Sequence, residues 1–124
     1  MQPQDVINEV ENIIHSDLFT TPWQQAWLYR VLALASGRLQ PKSIAALRDV
    51  SNTDGTHWLA RVEAMKVLGR ARKLDQQVLT RSWRLAPRPY RCDLLEAAAY
   101  LESTEEWARR FLAAARLDPV EKIV

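Results

Sequence analysis

Two different segments of this chain recur together at a spacing of about 33 residues, which constrains its fold more than any other feature. The stretch VEAMKVLG at 62–69 aligns with YRVLALAS at 29–36 and with LEAAAYLE at 95–102. A second set aligns at the same shift: SIAALR at 43–48, QQVLTR at 76–81 and RRFLAA at 109–114. Because both segments have the apolar spacing of helices, the pattern predicts about three units, each a pair of helices.

The composition favours helix along most of the chain. Glycine occurs only three times, while alanine, leucine, arginine, glutamate and glutamine dominate. Hydrophobic residues make up 48% and charged residues 26% of the 124 residues, which is typical of one folded globular domain. Apolar periodicity, together with capping and turn signals, predicts helices over 4–15, 22–36, 41–50, 57–71, 75–86, 90–102 and 105–117.

These helices predict an all-α fold, a right-handed α-α superhelix of about three helical hairpins preceded by an amino-terminal capping helix. We expect residues 1–124 to form a single α-helical repeat domain. Its parts are the capping helix at 1–19 and repeat units at 20–52, 53–86 and 87–119. The inner positions predicted to be buried are Val62, Met65, Leu68, Leu95 and Leu101. Only Gln24, Gln25 and Arg30 interrupt the apolar surface of the helix at 22–36, so neighbours are expected to cover it on nearly all sides.

Few residues have the pattern of a catalytic or metal site. Cys92 is the sole cysteine, and neither His15 nor His57 has a cysteine or carboxylate at ligand spacing. We therefore predict no catalytic, cofactor-binding or metal-binding residues. The sequence contains no membrane-spanning apolar run, and its polar, acidic amino terminus does not have the pattern of a signal peptide. These features predict a cytoplasmic protein that does not bind a membrane.

Five tryptophans are either core residues or stacking platforms for nucleic-acid bases. Trp23 and Trp27 lie one turn apart on the most apolar helix, and Trp83 and Trp107 fall on the apolar stripes of theirs. We expect these four to be core residues. Trp58 follows a polar loop, and it is the tryptophan expected to be exposed.

The middle of the chain is strongly basic. Residues 60–92 contain nine basic residues against Glu63 and Asp75, whereas both ends of the chain are acidic. A basic cluster of this kind binds phosphates, binds carboxylates of an acidic protein, or is simply a solvated face. If the arginines lie on opposite faces, the protein partner is preferred to nucleic acid. The candidate residues around the turns of the second unit are Arg70, Arg72, Lys73, Arg81, Arg84, Arg88, Tyr90 and Arg91.

The paired helices, with RVEAMKVLG at 61–69 in an inner position, resemble HEAT or armadillo-type repeats over about residues 20–119. The last unit is also similar to a tetratricopeptide repeat, through Leu94, Phe111, Ala114 and Pro119. Leu95 and Ala98 stand where that family has glycine and tyrosine. The repeat resemblance implies a binding or scaffolding module.

The segment TPWQQAWLYRVLALASG at 21–37 resembles the carboxy-terminal helical-repeat region of bacterial reverse-transcriptase-like defence proteins. In that family the polymerase residues lie upstream, in a Tyr-x-Asp-Asp motif that this sequence lacks. The resemblance therefore implies an accessory domain that contacts nucleic acid, with any polymerase activity outside this chain.

Together these features predict a non-catalytic module that binds nucleic acid, or alternatively a protein–protein adaptor that uses the concave repeat surface. The last helix also predicts pairing with another copy of the chain, or with a segment outside this sequence, because apolar residues lie on more than one of its faces. Outside its stripe of Trp107, Phe111, Ala114 and Ala115 are Leu112, Ala113 and Leu117.

Overall fold

A computed structural model of the chain describes residues 3–14, 21–34 and 39–116, which form α-helices, one short 3₁₀ helix and connecting turns, without a strand. The α-helices are α1 (Pro3–Ile14), α2 (Pro22–Ala33), α3 (Pro41–Asn52), α4 (Trp58–Arg70), α5 (Gln76–Leu85), α6 (Arg91–Ala99) and α7 (Glu106–Arg116). The 3₁₀ helix spans Arg88–Tyr90 and leads directly into α6. The prediction of an all-α fold is confirmed for these residues.

Local capping signals determine where several helices begin. Thr21 and Gln24 form a reciprocal capping box at the start of α2, with Pro22 in the first turn. The carboxylate of Asp75 accepts a hydrogen bond of 2.7 Å from the Gln77 amide at the start of α5. The predicted starts agree within one residue because a capping side chain and the amides that donate to it lie within one turn.

The ends of the predicted helices differ more from the structure. Helix α3 continues to Asn52 rather than 50, and α6 ends at Ala99 rather than 102. Residues 101–104 after α6 form turns, in which the Thr104 and Glu105 amides donate to the Leu101 carbonyl. Parts of the predicted ends, at 15, 35–36 and 117, lie outside the described residues.

Helix α4 lies at the centre of the fold and contacts α2, α3 and α6. Every residue from Ala60 to Gly69 except Lys66 is buried. The prediction that neighbours cover α2 on nearly all sides is wrong, because α4 occupies that position instead. Small residues allow its neighbours to approach: a Cβ added to Gly69 would lie 2.5 Å from the carbonyl oxygen of Ala97 on α6.

The predicted inner positions are mostly confirmed. Val62, Met65, Leu68 and Leu101 have exposed fractions of 1% or less. Leu95 is only half-buried, and it lines a surface cavity between α6 and α7 with Leu112. The apolar core is continuous through α4 and reaches α6 and α7.

The stripe predicted for α7 is shifted by the structure. Ala108 and Ala115 are buried, Trp107 and Phe111 are half-buried, and Ala114 is exposed. The ring of Phe111 packs edge-on against Trp83 of α5 at 5.4 Å. This contact orients α7 toward α5 as well as α6, so Ala114 points away from both.

Helix α1 packs on α2 through Ile7 and Val10, while Val6 is 39% exposed. On the same face Glu11 is buried, and its Oε2 accepts hydrogen bonds from the Ser43 hydroxyl and, at 3.2 Å, from the Gln40 amide. Gln40 is the N-cap of α3 and makes no side-chain cap of its own. Glu11 therefore caps α3 from a distant part of the chain.

Candidate binding surfaces

Two of the predicted basic residues lie on opposite sides of α4. Arg70 lies at the end of this helix, where its guanidinium carbon is 5.4 Å from the ring centroid of Tyr100. Arg81 belongs to a groove that also contains Arg61 of α4. Since Arg61 and Arg70 are nine residues apart at about 100° per residue, they project from α4 in directions about 180° apart.

Arg72 and Lys73 are exposed in the turn between α4 and α5. Arg72 has a φ of 60°, in the left-handed region that normally favours glycine at a helix end. The Lys73 carbonyl accepts hydrogen bonds of 3.3 and 3.2 Å from the guanidinium of Arg48 on α3. The turn is thereby attached to α3, away from the start of α6.

Arg88, Tyr90 and Arg91 lie at the start of α6. The guanidinium of Arg91 lies over Trp83, 4.6 Å from the ring centroid. Tyr90 contacts His57 edge-on at 6.4 Å, and His57 in turn contacts Trp23 at 6.1 Å. These ring contacts place the amino-terminal ends of α2, α4 and α6 beside one another.

The eight predicted residues therefore do not form a single basic edge. They divide between the end of α4 with its following turn, the groove along α5, and the start of α6. Of the predicted set, only Arg81 and Arg84 line that groove together. Sequence proximity placed the residues in one unit, but the rotation of each helix directs their side chains differently.

A groove with a volume of about 1010 Å³ runs along α5. Arg81 lies in it, bonded to both carboxylate oxygens of Asp54 at 2.8 and 3.0 Å and to the Asn52 amide oxygen at 3.0 Å. We call it the α5 groove. It is lined by Asp54, Trp58, Arg61, Gln76, Gln77, Thr80, Arg81, Arg84 and Leu85.

Arg61 is a buried cation at one wall of this groove, with an exposed fraction of 3%. Its guanidinium carbon lies 3.9 Å from the ring centroid of Trp58, and its Nη2 donates to the Ser51 carbonyl at 3.4 Å. The Nε atom is buried without a hydrogen-bond partner. Burial lowers the pKa of Arg61; Asp54 opposes this shift, and the like charge of Arg81 adds to it.

The exposed face of α2 contradicts the prediction for two tryptophans. Trp23 is 68% exposed, Trp27 is 66% exposed and Leu34, directly after the helix, is 80% exposed. With Arg30 they follow a spacing of four, three and four residues, which places all four on one side of the helix. We call this row of Trp23, Trp27, Arg30 and Leu34 the α2 ridge.

The other tryptophan predictions have mixed outcomes. Trp83 and Trp107 are half-buried and pack against the core, in line with their assignment to apolar stripes. Trp58, expected to be exposed, is half-buried beneath the guanidinium of Arg61. Helical apolar spacing does not distinguish exposed Trp23 and Trp27 from packed Trp83 and Trp107, because all four have it.

An ion-pair network joins α2, α4 and α6 beside the α2 ridge. Glu63 is bonded to Arg30 at 3.2 Å and to Lys66 at 2.9 Å, and Lys66 also contacts Asp93 at 2.8 Å. Burial alone would lower the pKa of Lys66, but its hydrogen bonds to Asp93 and Glu63 outweigh burial and raise it. The charges in this network are thus mutually compensated.

Among the described residues, no group of three or more histidine, cysteine, aspartate or glutamate side chains has the arrangement of a metal site. Within the same ranges, no helix has the length and apolar character needed to cross a membrane. Comparisons of the chain with protein-family models, curated proteins and solved structures found no match.

Proposed function

We propose that this chain is a non-catalytic helical-repeat module that acts as a protein–protein adaptor. Its helices would form a short right-handed superhelix of about three hairpins. The contacts of α4 with α2 and α6 support this arrangement. So do the rings of Trp23, His57 and Tyr90, which contact in succession although they are 34 and 33 residues apart in the sequence.

The observation that carries the proposal is the exposed α2 ridge. Two tryptophans and a leucine, each about two-thirds exposed or more, occupy one face of a helix whose other face is packed. Tryptophan and arginine are the residue types that most often dominate binding energy at protein interfaces. A contiguous apolar row of this kind typically marks an interaction surface.

The dispersal of the basic residues favours a protein over nucleic acid. A nucleic-acid backbone is bound by cations that follow it continuously, since affinity grows with each phosphate neutralised. Here Arg70 lies on one side of α4, Arg81 of α5 lies in the groove on the opposite side of α4, and Arg91 is stacked on Trp83. A nucleic-acid-contacting accessory role is therefore the alternative that the following experiment must exclude.

The test is selection of peptides from a displayed library on the intact chain, followed by measured affinities of the selected peptides for purified variants. We expect Trp23→Ala and Trp27→Ala each to weaken binding at least about tenfold, as truncation of an aromatic hot spot does. Val6→Ala is the control, because it truncates an exposed apolar residue on α1. It should change the affinity less than about twofold.

Two results would refute the proposal. One is that no selected peptide is sensitive to the ridge variants. The other is that single- or double-stranded oligonucleotides are retarded by the chain in a salt-dependent manner while the selected peptides bind weakly.

A further inference from the structure

We infer that the α5 groove binds an extended, acidic segment of a protein partner, with Arg61, Arg81 and Arg84 contacting its carboxylates. This inference rests on the proposed adaptor function and names the chemistry of a second contact, separate from the α2 ridge. The residues of the groove belong to α4, α5 and the loop between α3 and α4.

Charge is the first reason for an acidic partner. The groove contains three arginines and one carboxylate, Asp54, so its lining has a net charge of +2. Both carboxylate oxygens of Asp54 already accept hydrogen bonds from Nη2 of Arg81, so this part of the groove binds a carboxylate within the chain itself. Arg84 is exposed one turn along α5 and is available to a second carboxylate.

The buried state of Arg61 is the second reason. A guanidinium that is nearly removed from water is stabilised only by partners, and this one has a buried Nε with none. Asp54 attracts it and its neighbour Arg81 repels it less strongly, while its hydrogen bond to the Ser51 carbonyl is long at 3.4 Å. Arg61 and Arg81 thus share the single carboxylate of Asp54, and a carboxylate entering the groove would compensate the second positive charge, so Arg61 is the anchor of the proposed site.

The shape of the groove indicates an extended segment rather than a helix or a single ion. Residues at both ends of α5, from Gln76 to Leu85, line it, and nine helical steps correspond to about 14 Å. At about 3.4 Å per residue, this length accommodates about four residues of extended chain. Gln76, Gln77 and Thr80 supply side-chain hydrogen-bonding groups for a peptide backbone.

An apolar side chain in the partner also has a place to bind. Leu85 is 53% exposed at one end of the groove, and Trp58 lies half-buried at its wall. A segment that alternates acidic and apolar residues would place its carboxylates toward the arginines and its apolar side chains toward Leu85. This combination distinguishes the proposed ligand from a nucleic-acid strand, which lacks apolar side chains of this kind.

The experiment measures the binding of a fluorescein-labelled eight-residue peptide of alternating glutamate and leucine to the intact chain by anisotropy. We expect saturable binding that weakens at least about tenfold when glutamine replaces each glutamate, because the charge-assisted pairs are lost. Arg84→Glu should weaken binding at least about tenfold. Arg116→Glu makes the same charge change at an exposed position of α7, outside the groove, and should weaken binding less than about twofold.

Two further variants separate a specific loss from misfolding. Asp54→Asn removes the internal competitor for Arg81, so we expect binding to tighten about threefold, a gain that a damaged fold cannot produce. Arg61→Met keeps a long buried side chain without its charge and should abolish binding. If this variant fails to fold by circular dichroism, Arg84→Glu and Asp54→Asn carry the test.

The inference is wrong if the peptide does not bind, or if Arg84→Glu and Arg116→Glu weaken binding equally. It is also wrong if a single-stranded oligonucleotide of twenty nucleotides displaces the labelled peptide more strongly than the unlabelled glutamate peptide does. If the groove proposal fails in this way but peptides selected on the intact chain still bind through the α2 ridge, the proposed adaptor function is retained. Loss of sensitivity at both surfaces would overturn both proposals.

Discussion

Replacement of Gly69 by alanine tests the closeness of the α4–α6 packing on which the fold depends. The added Cβ would lie 2.5 Å from the carbonyl oxygen of Ala97 and 3.3 Å from its carbonyl carbon. Ordinary contacts begin near 3.4 Å, so the two helices must separate by about 0.9 Å at this point. The obstructing atoms belong to the backbone of α6 and cannot rotate away.

Two opposing terms determine the magnitude. Alanine in a helix interior is favoured over glycine by about 1 kcal/mol. Overpacking a close contact costs about 1–3 kcal/mol, and a backbone obstruction belongs at the upper end of that range. We expect a net loss of about 1–2 kcal/mol in the free energy of unfolding, or a melting temperature lowered by about 4–8 °C.

The assay is thermal and urea unfolding followed by circular dichroism, with Gly55→Ala as the matched control. A Cβ at Gly55 would meet no atom within 4 Å, and neither described glycine has a positive φ. We expect Gly55→Ala to change stability by no more than about 1 kcal/mol, in either direction. A Gly69→Ala variant as stable as the wild type would show that α4 and α6 do not approach this closely.

Three further predictions concern other parts of the chain. Glu11→Ala removes the distant cap of α3 and leaves the Gln40 amide and the buried hydroxyl of Ser43 without this acceptor, so urea unfolding should show a loss of about 2–4 kcal/mol. Burial raises the pKa of Tyr29 to about 12 from 10.0, so its contribution is complete below pH 10 and is lost as the pH rises toward 12. Equilibrium unfolding across this range should show about 2–3 kcal/mol lost on this account in the wild type, and Tyr29→Phe should lack that part of the slope. Self-association through α7 stays a prediction: sedimentation should show a concentration-dependent dimer that Ala113→Glu on its exposed face weakens, and a monomer at every concentration would contradict it.

Much of the secondary structure could be predicted because its signals are local. The capping box of Thr21 and Gln24 and the cap at Asp75 act within one turn, so short sequences specify them. The burial of Val62, Met65 and Leu68 follows from helical spacing, since residues three apart share one apolar stripe of the helix. Helix ends are predicted less well than helix starts. The predicted helix ends at residue 50, before the polar loop, but α3 continues to Asn52 because the Ser51 hydroxyl donates to the Leu47 carbonyl within the helix.

The surfaces depended on tertiary structure. Helices α2 and α4 are both apolar over much of their circumference, yet only α4 has neighbours on nearly every side. Sequence periodicity gives the angle between residues on one helix, but not which angle faces a neighbour. For this reason Trp23 and Trp27 were assigned to the core although they lie in water.

The same limit applies to the charged residues. Arg61 was counted only as one base among nine, while its burial over Trp58 makes it the most constrained cation in the α5 groove. Glu11 belongs to the acidic amino-terminal segment, and it bonds to residues at the start of α3 that lie 29 and 32 positions away in the sequence. The number and type of the charged residues can be read from the sequence. Which charged side chains lie together depends on the packing of α4 against its neighbours. A guanidinium or carboxylate contacts its partners only after distant helices bring them within a few ångströms.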